Sequence, residues 1–225
     1  MPQARIPIRH NVLAAAINGM PDSRVDRLNG GMTTIADLPA AASVSVAALA
    51  GYTDLDWQQV PASGLQWSCW QTTLHMVDCL YFYTMQVIYG QLDGYLCTEL
   101  ALDDSASPPR LLAALSAHAE LLHRITRSAD PDLRAHHNYG VSDPAGFAAM
   151  GVVETLIHTF DVVRGLNPAD QWRPPAALAA PAIARLFPQA PSGDPVEVLL
   201  YCCGRAALGE MPRQTQWQWD GTVRS

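Results

Sequence analysis

The chain has 225 residues, 49% of them hydrophobic and 16% charged, which is globular composition with too little charge for a disordered chain. A net charge of −7 argues against a nucleic-acid surface. The length suffices for one good core and a small appendage.

Residues 1–36 show weak periodicity with scattered Gly, Pro and Asn, and read as an N-terminal extension of uncertain structure. The apolar run in "MPQARIPIRHNVLAAAINGM" is too short and too interrupted for a signal peptide. From about 37 the sequence turns helical, and "LPAAASVSVAALAGY" predicts a first helix ending near Gly51. Ser68 can cap a second helix, running to about 90 and stopped by Gly90. Its stretch "LHMVDCLYFYTMQVIYGQL" is the most apolar long run. It contains His75, Asp78, Gln86 and Gln91, and so reads as a buried helix rather than a membrane span.

Ser107-Pro108 is a start signal for a third helix over about 108–128. Asp143-Pro144 repeats it for a fourth, running to about Arg164 and closed by Gly165. A shorter helix is expected over 175–187. Asp194-Pro195-Val196-Glu197 resembles a capping box opening "VEVLLYCCGRAALG". The tail "TQWQWDG" alternates, which suggests a short extended segment. The sequence shows no strand-rich region, Gly-rich phosphate loop or G-x-S-x-G motif. The expected fold class is all-α, an up-down four-helix bundle. The bundle is assigned to 37–170, with helices and a tail over 171–225 packing on it.

All 14 basic residues are Arg; with abundant Ala, Pro and Gly, this points to a high-GC bacterial genome. The five cysteines form no C-x-x-C, so a disulfide framework is not expected and a reducing cytoplasm fits better.

The fourth helix poses the chemical question. Glu154, His158 and Asp161 are spaced by four and three, so they form one stripe on a helix. Val152, Val153, Leu156, Ile157, Phe160, Val162 and Val163 fill the remaining circumference, which marks a buried helix. Unpaired buried carboxylates are costly, and a metal ion would satisfy the stripe. The second helix carries a similar element, His75 with Asp78 three residues on. Two His and one Glu from facing helices make an N, N, O ligand set with an open position, suited to Zn²⁺, Ni²⁺, Fe²⁺ or Co²⁺. Asp78 and Asp161 are then candidates to orient the imidazoles or hold bound water.

"WSCWQTTLHMVDCL" places Trp67 eight residues before His75, and "ETLIHTFDVVRGL" is E-x-x-x-H followed by Asp. With "NYGVSDPAGFAAMGVVETLIHTFDVVRGL" and the Gly-Arg and W-x-W-D-G of "LLYCCGRAALGEMPRQTQWQWDG", the chain resembles the DinB-like superfamily over roughly 40–225. More narrowly it is similar to the mycothiol-dependent maleylpyruvate isomerases and their actinobacterial relatives. The resemblance implies one divalent metal, commonly zinc, on His75, Glu154 and His158 inside a four-helix bundle. It also implies mycothiol as the thiol cosubstrate.

Other residues are expected to be structural. His118 and His123, five apart, cannot share a metal, and His136 and His137 sit in a loop. Arg164 complements a helix dipole. Arg205 can bind a substrate carboxylate or equally a structural one. Trp67, Trp70, Trp217 and Trp219 read as core or rim packing, and Cys79, one position past Asp78, as core. The leading expectation is a cytoplasmic thiol-dependent isomerase or S-transferase acting on an electrophilic small molecule, as monomer or homodimer. Alternatives are a non-catalytic metal-binding or stress-response protein and a metal-dependent hydrolase.

Overall fold

The computed structural model describes residues 27–224, with side chains from residue 35 on. Six helices account for its regular structure: α1 (Arg27–Ala50), α2 (Cys69–Tyr89), α3 (Pro108–Ser128), α4 (Pro144–Leu166), α5 (Ala176–Leu186) and α6 (Pro195–Cys202). No strand ladder forms among the described residues, only isolated bridges such as Pro61 with Ser68. The all-α bundle is thus the observed architecture. The N-terminal residues 1–26 lie outside the described part.

Helix α4 is the axis of the fold. It packs against α1 and α2, and α3 in turn packs against both of those. Chain neighbours α1 and α2 therefore sit diagonally, and α2 faces α4 directly. Helix α4 is long and apolar enough to cross a membrane by length and composition, yet 89% of that window is buried within the bundle. It, rather than the α2 stretch, is the helix that passes that test. Halfway along α4, Gly151 brings three helices together: a Cβ there would lie 2.9 Å from Leu122 and Leu38 and 3.0 Å from Leu80.

The helix ends follow local chemistry. Ser68 caps α2 in a full capping box: its hydroxyl accepts from the Gln71 amide, and the Gln71 side chain accepts from the Ser68 amide. Gly90 closes α2 at a φ of 61°, a left-handed conformation that favours glycine. The carboxylate of Asp143 caps α4 through the Gly146 amide. Ser107 occupies the cap position of α3 but makes no side-chain cap bond.

Four expectations are corrected. Helix α1 begins at Arg27, ten residues early, and runs through Pro39. Gly30, Gly31 and Pro39 all weaken a helix locally, and packing of α1 on α3 and α4 overrides them. Gly165 does not close α4, which continues to Leu166 with Asn167 as its cap. This glycine serves close approach instead: a Cβ would stand 2.5 Å from the Pro61 carbonyl oxygen. Helix α6 ends at Cys202, because Gly204 turns left-handed at a φ of 67° and directs the chain back. Its capping box is half built: Asp194 accepts from the Val196 and Glu197 amides, while Glu197 pairs with Arg173.

Helix α5 packs on α4 and α1, and α6 packs on α5. The tail forms no ladder but is pinned by two backbone bonds, Asp220 to the Leu186 carbonyl and Gly221 to that of Tyr139. Trp219 is buried among Tyr139, His137 and Trp217. His137 lies in the loop before α4, as its position implies, and is buried there. His123 bonds the Ile35 carbonyl of α1, and His118 the Ala114 carbonyl one turn back, both structural roles. All five cysteines are free.

Candidate metal centre

The apposition of α2 and α4 sets the site. Glu154 and His158, one turn apart on α4, lie side by side, with His158 Nε2 3.1 Å from Glu154 Oε2. From α2, His75 Nε2 comes within 3.7 Å of the same oxygen. The imidazoles meet edge to face with ring centres 5.1 Å apart. The side chains of His75, Glu154 and His158 remain only 12, 12 and 10% exposed, so all three are largely desolvated but not sealed from solvent.

Behind His158 lies a second layer. Its Nδ1 is 3.0 Å from Asp161 Oδ2, leaving Nε2 to point at Glu154. Arg205 grips Asp161 through two N–H groups, Nη2 at 2.6 Å to Oδ2 and Nε at 3.2 Å to Oδ1. A third donor goes to the Cys203 carbonyl at 2.7 Å. Trp217 lies under the guanidinium, 5.5 Å from ring centre to Cζ. Of the two roles open to Arg205, the structure thus shows the structural one: it neutralises a carboxylate that is 2% exposed. The turn at Gly204 places it there.

The electrostatics follow from this chain of contacts. Burial opposes charge on Glu154, but the neighbouring imidazoles of His158 and then His75 outweigh it and hold its carboxyl well below the usual range. Burial also opposes charge on His158, yet Asp161 and Glu154 outweigh it and push the imidazole up to about 9. Burial disfavours an ionised Asp161, and His158 with Arg205 reverses that, lowering its pKa. Tyr83 stands over the far side of Glu154, its hydroxyl 3.4 Å from Oε1. Burial and then the Glu154 charge raise its pKa well above normal, which keeps it a neutral donor.

Cys79 corrects the sequence reading. It is core by burial, at 4% exposure, but it also belongs to the donor cluster. Its Sγ is 3.5 Å from His75 Nε2, and donor atoms of His75, Cys79 and Glu154 all lie within 4.8 Å of one another. Burial first, then the charges of Glu154 and Asp78, push the thiol well up. Asp78 itself is half-buried on α2, close enough to Cys79 to act on it electrostatically. Trp67 packs its ring 4.9 Å from that of His75 and so borders the site, while Trp70 is buried and bonds the Ala106 carbonyl. Arg164 lies over Phe160 in the last turn of α4.

The donors fit a divalent ion in kind, and among the described residues the trio whose donor atoms all close on one another is His75, Cys79 and Glu154, with His158 joining through its contact to Glu154. A tetrahedral ion with bonds of about 2.0–2.3 Å keeps its donors roughly 3.3–3.8 Å apart. Of the two separations to Glu154, 3.7 Å falls inside that range and 3.1 Å just below it. A family model described as DinB superfamily matches residues 37–160. The chain belongs to the DinB superfamily. No curated protein and no solved structure matches it. In this DinB protein the matched span holds His75, Cys79, Glu154 and His158, while the Asp161–Arg205 pair lies beyond it.

Proposed function

We propose that this DinB protein binds one divalent ion, zinc by preference and Ni, Fe or Co by similar chemistry, through His75, Glu154 and His158. We further propose that it serves a thiol-dependent isomerisation or S-transfer on an electrophilic small molecule. The observation carrying this reading is the meeting of three donors from two helices, each with a small residual exposure to solvent. Members of the superfamily commonly bind divalent metals, which supports the first half. The resemblance to the mycothiol-dependent branch supports mycothiol as the thiol.

A divalent ion in that position supplies Lewis acidity, lowering the pKa of a bound thiol or water toward neutrality. The protein's own residues do the rest. Asp161 fixes the tautomer and orientation of His158 through Nδ1, and Arg205 fixes Asp161. Tyr83 holds the second oxygen of Glu154. The apolar circumference of α4 keeps bulk water from the donors' inner side.

Metal analysis of the purified full chain tests the reading. The expected result is about one equivalent per chain in the wild type and none in His158→Ala; a metal-free wild type would sink it. Titrating mycothiol into the Co²⁺-substituted protein then tests thiol binding, through a change in the sulfur-to-cobalt absorption; an unchanged spectrum counts against it.

A further inference from the structure

Two helices meet at this site, and each presents a donor pair one turn apart. On α4 the pair is Glu154 and His158; on α2 it is His75 and Cys79. Residues four apart on a helix are surface neighbours, which is what lets one helix offer two ligands to one ion. We propose that Cys79 is a fourth, displaceable metal ligand, closing an N₂OS site that an external thiol must open. This rests on the metal reading above and adds to it a built-in competitor for the thiol position.

Distance supports the assignment. Sγ is 3.5 Å from His75 Nε2, the separation expected of two donors sharing one tetrahedral ion. The same Sγ is 3.8 Å from Nδ1. A hydrogen bond along either nitrogen's in-plane axis would leave the other nitrogen much farther away. The sulfur therefore stands beside the ring, not bonded to it in a directed way. Reorienting it requires only one side-chain torsion, the one heavy-atom torsion cysteine has, and no movement of α2. A sulfur that stands among the donors without a directed bond to the ring suits a ligand that leaves when displaced.

Charge allows it too. Along the linked chain of Glu154, His158, Asp161 and Arg205, a divalent ion with neutral imidazoles leaves one net positive charge, and the half-buried Asp78 adds a carboxylate next to Cys79. A fourth ligand at the ion is either the Cys79 thiolate or an external thiolate, so the two compete for the same position.

The test uses the full chain with Cys79→Ser and Cys79→Ala, loaded with Co²⁺ and with no added thiol. The wild type is expected to show a sulfur-to-cobalt charge-transfer band. Both variants should take up one cobalt without the band and bind zinc more than about tenfold more weakly, a loss seen even for partners outside the ligand shell. Wild-type protein that holds cobalt without the band, or variants that keep it, would overturn the assignment of Cys79 while leaving the metal reading intact. Wild-type protein that takes no cobalt overturns both. Should the variants not fold, X-ray absorption of the zinc-loaded wild type decides instead. One sulfur scatterer at about 2.3 Å supports Cys79, and a shell of nitrogen and oxygen alone refutes it.

Discussion

The two halves of the site are built differently. On α4, every polar group is fixed by another: Glu154 by His158, His158 by Asp161, and Asp161 by two donors of Arg205. On α2, His75 reaches Glu154 only at 3.7 Å and otherwise packs against Trp67, while Cys79 lies beside its ring. One half is a preset frame whose geometry is held by buried charge. The other is positioned mainly by packing, and its tie to the frame is the longer His75 contact with Glu154. A donor set meant to admit a substrate benefits from this division, because the ligand that yields can do so without disturbing the frame.

The sharpest way to break the contrast is to cut the frame at its base. Arg205→Met leaves the Asp161 carboxylate buried without its bidentate partner. A cost of about 3–5 kcal/mol is expected, measured by denaturant unfolding of the metal-free protein. A loss below about 1 kcal/mol would show that the α4 frame is not held by charge.

The next comparison sets the two histidines against each other, again without metal. His158→Ala strips a partner from both Glu154 and Asp161, whereas His75→Ala removes one long contact and a ring packed on Trp67. The His158 variant is expected to be less stable than the His75 variant by about 2 kcal/mol. Equal losses would mean that the halves are equally preset.

Much of this arrangement was legible beforehand, for a reason that also explains the omissions. Glu154, His158 and Asp161 share one face by spacing alone, and an apolar helix makes such a stripe conspicuous. Cys79 is inconspicuous in the sequence because the H-x-x-D repeat points to Asp78 and Asp161, although four residues from His75 is the spacing that meets it. The role of Arg205 depends on a contact across 44 residues of sequence, set by the turn at Gly204 and by docking of the C-terminal helices. Nothing local reports such a contact. Gly165 looked like a stop because glycine often is one; only the packed loop at Pro61 reveals a second reason for it. Ser68, Gly90, Asp143 and Pro144 were readable because caps are decided within a few residues.

The frame also predicts a pH dependence for the metal-free protein. His158 is raised from 6.5 to about 9 in the folded state. A group raised on folding contributes its full stability below its unfolded pKa and loses it as pH climbs through the folded one. The chelator-treated protein should therefore lose melting temperature steadily between about pH 6.5 and 9. The metal-loaded protein should not follow, because the ion competes with the proton and binds better as pH rises. A flat profile for the chelated protein across that interval would contradict the ion-paired state of His158.

The smallest effect probes the α2 half. Ser68 caps α2 seven residues ahead of His75, and its reciprocal bonds with Gln71 fix the first turn. Ser68→Ala is expected to cost about 1 kcal/mol in stability. If α2 is positioned by packing along its length, with Met76, Val77 and Leu80 fully buried, the frayed first turn should leave His75 in place and zinc affinity nearly unchanged. A large fall in zinc affinity at that small cost in stability would show instead that the cap sets the register of His75. The α2 half would then be as preset as α4, through its helix terminus rather than through buried charge.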